Sequence, residues 1–243
     1  MKLFKYAPLF FAVPLLGSCS KSPSGGATVQ APNRLSVVFR TPANGPINNS
    51  GYIYSFAFDD DDNSSDGPVA IVGPTTVPNG VVAGSFTVLV EYQGGQYNVY
   101  RRTALANGTE TLDPAPGAFV TQPSPASGNT LNFTLNLDAT TSSGARLFRA
   151  GAQRLDINFV TANERRRDPN DNLRKAVDTF GDGRLSLSSG GAYVTLDIRS
   201  TRTYNDTSIV GEPSGDVRTD DTSGTINLPS LDITDFAISV LRS

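Results

Sequence analysis

Residues 130–137, TLNFTLNL, alternate without a break. Leu131, Phe133, Leu135 and Leu137 fall on one side of an extended chain, and Thr130, Asn132, Thr134 and Asn136 on the other. A strand repeats its side chains every two residues and a helix every 3.6, so only a strand turns this pattern into one dry face. One buried face and one wet face imply an antiparallel sheet. The same period returns along the chain. Residues 34–40 (RLSVVFR) read as a first strand. In 51–58 (GYIYSFAF), Tyr52, Tyr54, Phe56 and Phe58 share a face; in 85–92 (SFTVLVEY), Phe86, Val88, Val90 and Tyr92 do so. Gly94-Gly95 then turns the chain into 96–103, which predicts a hairpin. Further strands are expected at 153–161, 192–199 and 233–241, the last with Phe236, Ile238 and Val240 on one side.

The charged residues support this reading. The chain has 19 Asp against 4 Glu, and 16 Arg against 4 Lys. Glu and Lys favour helices, whereas Asp bonds to nearby backbone and favours turns. An all-β, antiparallel β-sandwich over 34–243 is therefore expected, as one domain. The Pro-, Gly- and Ala-rich stretch 105–129 is where two halves would divide. One short helix is expected near 170–179, where Leu173 and Val177 stand four apart and Asp171 could cap.

The chain contains no His and one Cys. This excludes Ser-His-Asp and Cys-His catalysis, His-ligated haem, ordinary catalytic zinc and an intramolecular disulfide. A net charge of −3 argues against nucleic acid as a partner. Nothing matches a nucleophile elbow or a phosphate loop, so no catalytic residue is expected.

The amino terminus reads MKLFKYAPLFFAVPLLGSC. Lys2 and Lys5 precede an apolar run from Tyr6 to Leu16, which is too short to span a bilayer and fits a secretory signal. Leu16-Gly17-Ser18-Cys19 resembles the lipobox of bacterial lipoproteins. The resemblance implies a signal peptide over 1–18, cleavage before Cys19, and a lipid on that residue, the chain's sole Cys. An ordinary secreted protein with a leftover Cys and a short membrane anchor are the alternatives. Ser20, where Asp would imply retention in the inner membrane, implies the outer membrane if the source has two. Residues 20–33, SKSPSGGATVQAPN, read as a Ser/Gly/Pro tether with a reach of roughly 20 Å.

Five of the 19 Asp lie within 59–66. In DDDDNSSDGP, Asp62, Ser64 and Asp66 occupy positions one, three and five of a calcium loop, Gly67 the turn, and the Pro68 carbonyl position seven. Calcium is a hard ion that takes six to eight oxygens, and crowded carboxylates supply them. Position twelve is Gly73, where helix-loop-helix calcium proteins carry Glu. A bidentate ligand must then come from Asp59, Asp60 or elsewhere. The alternative is a solvated acidic turn that blunts a sheet edge.

Other groups are weaker signals. Asp178 and Asp182 precede Gly183, but Phe180 interrupts the ligand pattern, and a Gly-rich turn fits better. Arg165, Arg166, Arg167, Arg174 and Lys175 form a basic cluster that could meet an acidic partner or pair with nearby carboxylates. Tyr52, Tyr54, Tyr92, Tyr97 and Tyr100 could stack a sugar, although sheets commonly half-bury such residues. Asp156, Asp197, Asp232 and Asp235 lie on or beside strands and could pair in space. The strand and Asp-rich loop of 51–92 also resemble the β-sandwich modules of secreted carbohydrate-active and haem- or sugar-binding proteins. The missing His argues against the haem branch, and no site residue follows from this likeness.

The expected function is a lipid-anchored, non-catalytic envelope β-sandwich with a binding or structural role. Its partners would be the membrane, through the lipid, and a glycan or envelope protein. The alternative is a carboxylate-based, glycosidase-like hydrolase acting on envelope or extracellular polysaccharide.

Overall fold

The computed structural model describes residues 33–71, 79–104, 110–165, 175–181, 193–219 and 225–243. Their strands are β1 (Arg34–Arg40), β2 (Ile53–Asp59), β3 (Pro68–Ala70), β4 (Val82–Gly84), β5 (Val88–Gln93), β6 (Gln96–Ala104) and β7 (Glu110–Pro114). They continue with β8 (Thr130–Asn136), β9 (Arg154–Ala162), β10 (Ala176–Thr179), β11 (Val194–Asp197), β12 (Arg202–Asn205), β13 (Arg218–Thr219) and β14 (Asp235–Leu241). Every pairing is antiparallel.

A four-stranded sheet runs β12-β14-β1-β8. An eight-stranded sheet runs β13-β10-β9-β2-β5-β6-β7, with β11 also paired to β9. The inner faces of the two sheets share one core. Leu35, Val37 and Phe39 of β1, Leu131, Phe133 and Leu135 of β8, and Phe236, Ile238 and Val240 of β14 supply one side. Tyr54, Phe56 and Phe58 of β2, Val88, Val90 and Tyr92 of β5, and Leu155, Ile157 and Phe159 of β9 supply the other. The alternation at 130–137 is therefore realised as a strand with Leu131, Phe133, Leu135 and Leu137 buried. At the centre the rings meet edge-on: Phe56 lies 5.5 Å from Phe39 and 4.8 Å from Phe159. Phe159 also touches Phe180 at 4.4 Å and Phe236 at 5.9 Å.

The outer face of the large sheet is also covered. The β3-β4 hairpin lays Ala70 and Val82 over Ile53, Ala57, Leu89 and Val160. This is why β2 and β9 are buried on both faces. Phe86 belongs to this second cluster and does not share a face with Val88, Val90 and Tyr92. The chain bends at Ser85 and Thr87, which breaks the alternation before β5 starts.

The β5-β6 hairpin forms as the glycines require. Gln93 pairs with Gln96, and Gly94 and Gly95 take φ of 62° and 75°. Two consecutive left-handed residues make the turn whose twist matches the strands it joins. The helix expected near 170–179 is corrected by β10, which takes 176–179 as strand; residues 170–174 lie outside the described residues. Val177 is β-branched and pairs with Ala162 on one side and Arg218 on the other, so sheet pairing overrides the helical spacing. Within 105–129, β7 extends the large sheet and Phe119 bridges to Leu135 of the small one. Residues Pro32–Ser243 form one compact unit.

Candidate functional site

The acidic loop follows β2 and is fastened by arginines. The Asp62 carboxylate accepts hydrogen bonds from the amides of Gln153 (2.9 Å) and Arg154 (3.0 Å) and pairs with the Arg149 guanidinium. These donors hold its pKa below the usual carboxylate value against partial desolvation. Asp62 is the one described non-glycine residue with positive φ, 66°, which turns its side chain toward 149–154. Asp60 is buried, and its carboxylate takes the Arg149 amide while its carbonyl takes the Arg149 Nε at 2.8 Å. The Pro68 carbonyl accepts from the Asn158 amide at 3.1 Å, the Asp66 carboxylate from Asn63, and the Ser64 carbonyl from the Tyr193 hydroxyl at 3.2 Å. Asp62, Asp66 and the carbonyls of Ser64 and Pro68 thus each accept a hydrogen bond.

Asp59 stands apart from these. It is 1% exposed, and neither carboxylate oxygen has a partner at hydrogen-bonding geometry. Burial raises its pKa, and the Ser85 hydroxyl and Asp61 amide offset only part of that. Directly across the sheet, Asp59 faces Asp156 of β9. Asp156 is 2% exposed, accepts a hydrogen bond from Thr195 and is also raised by burial.

A second acidic group lies where β10 meets the segments leading to β13 and β14. Oxygens of Asp178, Asp216 and Asp232 all fall within 4.8 Å of one another, and all three residues are buried. Among the described residues this is the set of three carboxylates close enough to hold one metal ion. Asp178 accepts from the amides of Thr179 (2.9 Å) and Ile233 (2.7 Å). Asp232 accepts from the Gly215 amide (2.9 Å) and the Ser214 hydroxyl (3.1 Å). Glu212 accepts from the Gly181 amide at 3.2 Å, and burial near Asp178 and Asp216 pushes its pKa up to about 9. Burial with Asp216 alongside also lifts Asp178 well above its ordinary value. These carboxylates cross-brace backbone from three parts of the chain. Asp178, Asp216 and Asp232 are separated by 38 and 16 residues in turn, so no local motif announces them.

The remaining candidates divide. Tyr54, Tyr92 and Tyr97 are core residues whose hydroxyls bond to backbone of Ser230, Ala126 and Asn132, so they form no sugar-stacking surface. Arg165 pairs with the buried Glu91 and donates to the Asn79 carbonyl at 2.6 Å; Lys175 is buried and lies 3.2 Å from Glu164. Arg166, Arg167 and Arg174 lie outside the described residues, as do Asp182, Gly183 and Cys19.

An open concavity lies on the outer face of the four-stranded sheet. It is a groove of about 690 Å³, walled on one side by residues 120–124. The register aligns Thr203, Ser239, Ser36 and Thr134 in one row across all four strands. Their hydroxyls bond in two pairs, Thr203 with Ser239 and Ser36 with Thr134, each at 2.9 Å. Gln122 and Asn132 add amides, Val38 and Leu241 add apolar surface, and Arg34 adds one charge. No carboxylate is among the described lining residues. Comparison with protein-family models, curated proteins and solved structures gives no match.

Proposed function

We propose that this chain is a lipid-anchored envelope protein that binds a glycan non-catalytically along the groove of its four-stranded sheet. The observation that carries the binding role is the hydroxyl row Thr203, Ser239, Ser36 and Thr134. Each hydroxyl both donates and accepts, as sugar hydroxyls do, and neighbouring strands space them about 4.8 Å apart. The volume suits a few sugar units. A glycosidase-like hydrolase needs two carboxylates facing one groove. The described lining holds none, which favours binding over turnover. The anchor rests on the lipobox-like Leu16-Gly17-Ser18-Cys19 and the apolar run before it.

Two measurements test this. Cys19→Ser is expected to move the protein from the membrane fraction to the soluble fraction; unchanged partition overturns the anchor. Co-sedimentation of the full chain with purified peptidoglycan, and affinity electrophoresis in a neutral glucan, test the groove. Ser36→Trp fills the groove and is expected to weaken retention at least tenfold while leaving the melting temperature nearly unchanged. Retention on neither glycan, or retention indifferent to Ser36→Trp, overturns the binding role.

A further inference from the structure

We propose that a divalent cation of the calcium class binds between Asp59 and Asp156, beside Tyr193. The site is built on the outer face of the large sheet, apart from the groove. Asp59 and Asp156 are cross-strand neighbours on β2 and β9. Such neighbours carry their side chains on the same face with Cβ atoms about 5 Å apart, so the two carboxylates converge. Asp59 brings two buried oxygens with no hydrogen-bond partner, a costly arrangement unless something is bound to them. The donor set is all oxygen and contains no His or thiolate, which selects a hard cation.

The loop after β2 is tied to β9 beside this pair, where the Arg154 guanidinium donates to the Asp62 carbonyl. Thr195 of β11 faces Asp156 of β9, so Tyr193, two residues before Thr195, lies on the same face beside the pair, and its hydroxyl donates to the Ser64 carbonyl at 3.2 Å. Its ring rests against Gly67, where a Cβ would come within 2.7 Å of the ring, so only glycine fits beneath it. Of the acidic residues the sequence pattern offered, this site keeps Asp59. It omits Asp62, already held by Arg149 and two backbone amides, and gains Asp156 from a strand almost 100 residues away.

The test uses the full chain, stripped with chelator at pH 7.5. With a dissociation constant on the order of 0.5 mM, 10 mM calcium is expected to raise the melting temperature by about 4–7 °C. Asp59→Asn is expected to abolish that rise, whereas Asp178→Asn and Asp62→Ala retain it. The chain has no Trp, so terbium bound at the site is sensitised by tyrosine. Terbium emission excited at 280 nm is expected to fall severalfold in Tyr193→Phe, which keeps the calcium response, and to vanish in Asp59→Asn. A wild-type melting temperature unmoved by calcium overturns the proposal. So does a calcium response that survives Asp59→Asn or is lost in Asp178→Asn, or terbium emission indifferent to Tyr193→Phe.

Discussion

Phe159→Ala is expected to cost about 3–5 kcal/mol of folding stability, the usual range for emptying a buried aromatic site. Phe159 is fully buried, and its ring meets Phe39, Phe56, Phe180 and Phe236. These neighbours come from both sheets and from the end of β10, so none can collapse into the void without disturbing its own strand. At this chain length the loss corresponds to a fall of about 6–20 °C in melting temperature. Leu241→Ala is the contrast, since Leu241 is 44% exposed at the end of β14. It is expected to change stability by no more than about 0.5 kcal/mol. Urea unfolding of both variants measures the difference. A loss below 1 kcal/mol for Phe159→Ala would contradict the shared core described here.

Stability is also expected to decline from mildly acidic to alkaline pH. Burial raises the folded-state pKa of Asp59, Asp156, Asp178 and Glu212 above their unfolded values, Glu212 from 4.5 to about 9. The folded state therefore retains protons that the unfolded state has released. The stabilisation is complete below the unfolded values near 4 and is lost as pH climbs through the folded ones. Each retained proton contributes a slope of about 1.4 kcal/mol per pH unit within that window. Asp62 works in the opposite sense: its pKa is lowered, so its contribution is present at neutral pH and disappears in strong acid. Together they place the optimum near the unfolded carboxylate values, at about pH 4. Thermal melts from pH 4 to 9.5 in chelator measure the profile. Glu212→Gln should flatten the limb above pH 5 by removing the carboxyl whose neighbours are Asp178, Asp206 and Asp216. A wild-type melting temperature constant from pH 5 to 9 would refute this account.

The strands with one wet face were the most legible part of the sequence. The pattern at 34–40, 130–137 and 233–241 matches β1, β8 and β14, which carry the small sheet with its solvent side open. Short strands were not legible. β3, β4, β10, β12 and β13 have two to four residues each, too few to display a period. β10 also carries a buried Asp and a buried Thr, which no rule of apolar periodicity would place inside.

The acidic residues show a different limit. Their crowding at 59–66 is visible in one dimension, and it drew attention to Asp62. Which carboxylates end up lacking a donor depends on Arg149 and on the β2-β9 register, both set by tertiary structure. The convergence of Asp178, Asp216 and Asp232 from three separate segments is likewise set by tertiary structure. The hydroxyl row was present as ordinary wet-face Ser and Thr. Only the alignment of four strands made it continuous.

The position of β14 has a kinetic consequence. The last strand of the chain is an interior strand, held between β12 and β1, and β1 in turn lies between β14 and β8. Arg34 therefore aligns with Leu241 on one side and Asn136 on the other. Neither neighbour is local, so the first strand stays unpaired until roughly a hundred residues have followed it, and the sheet stays open until the carboxyl end arrives. Closing such long loops before any contact is gained makes folding slow, as in other topologies dominated by distant pairings. The small sheet therefore waits while hairpins of the large sheet, such as β5-β6, can already form. That delay makes the docking of β14 the event that completes the four-stranded sheet.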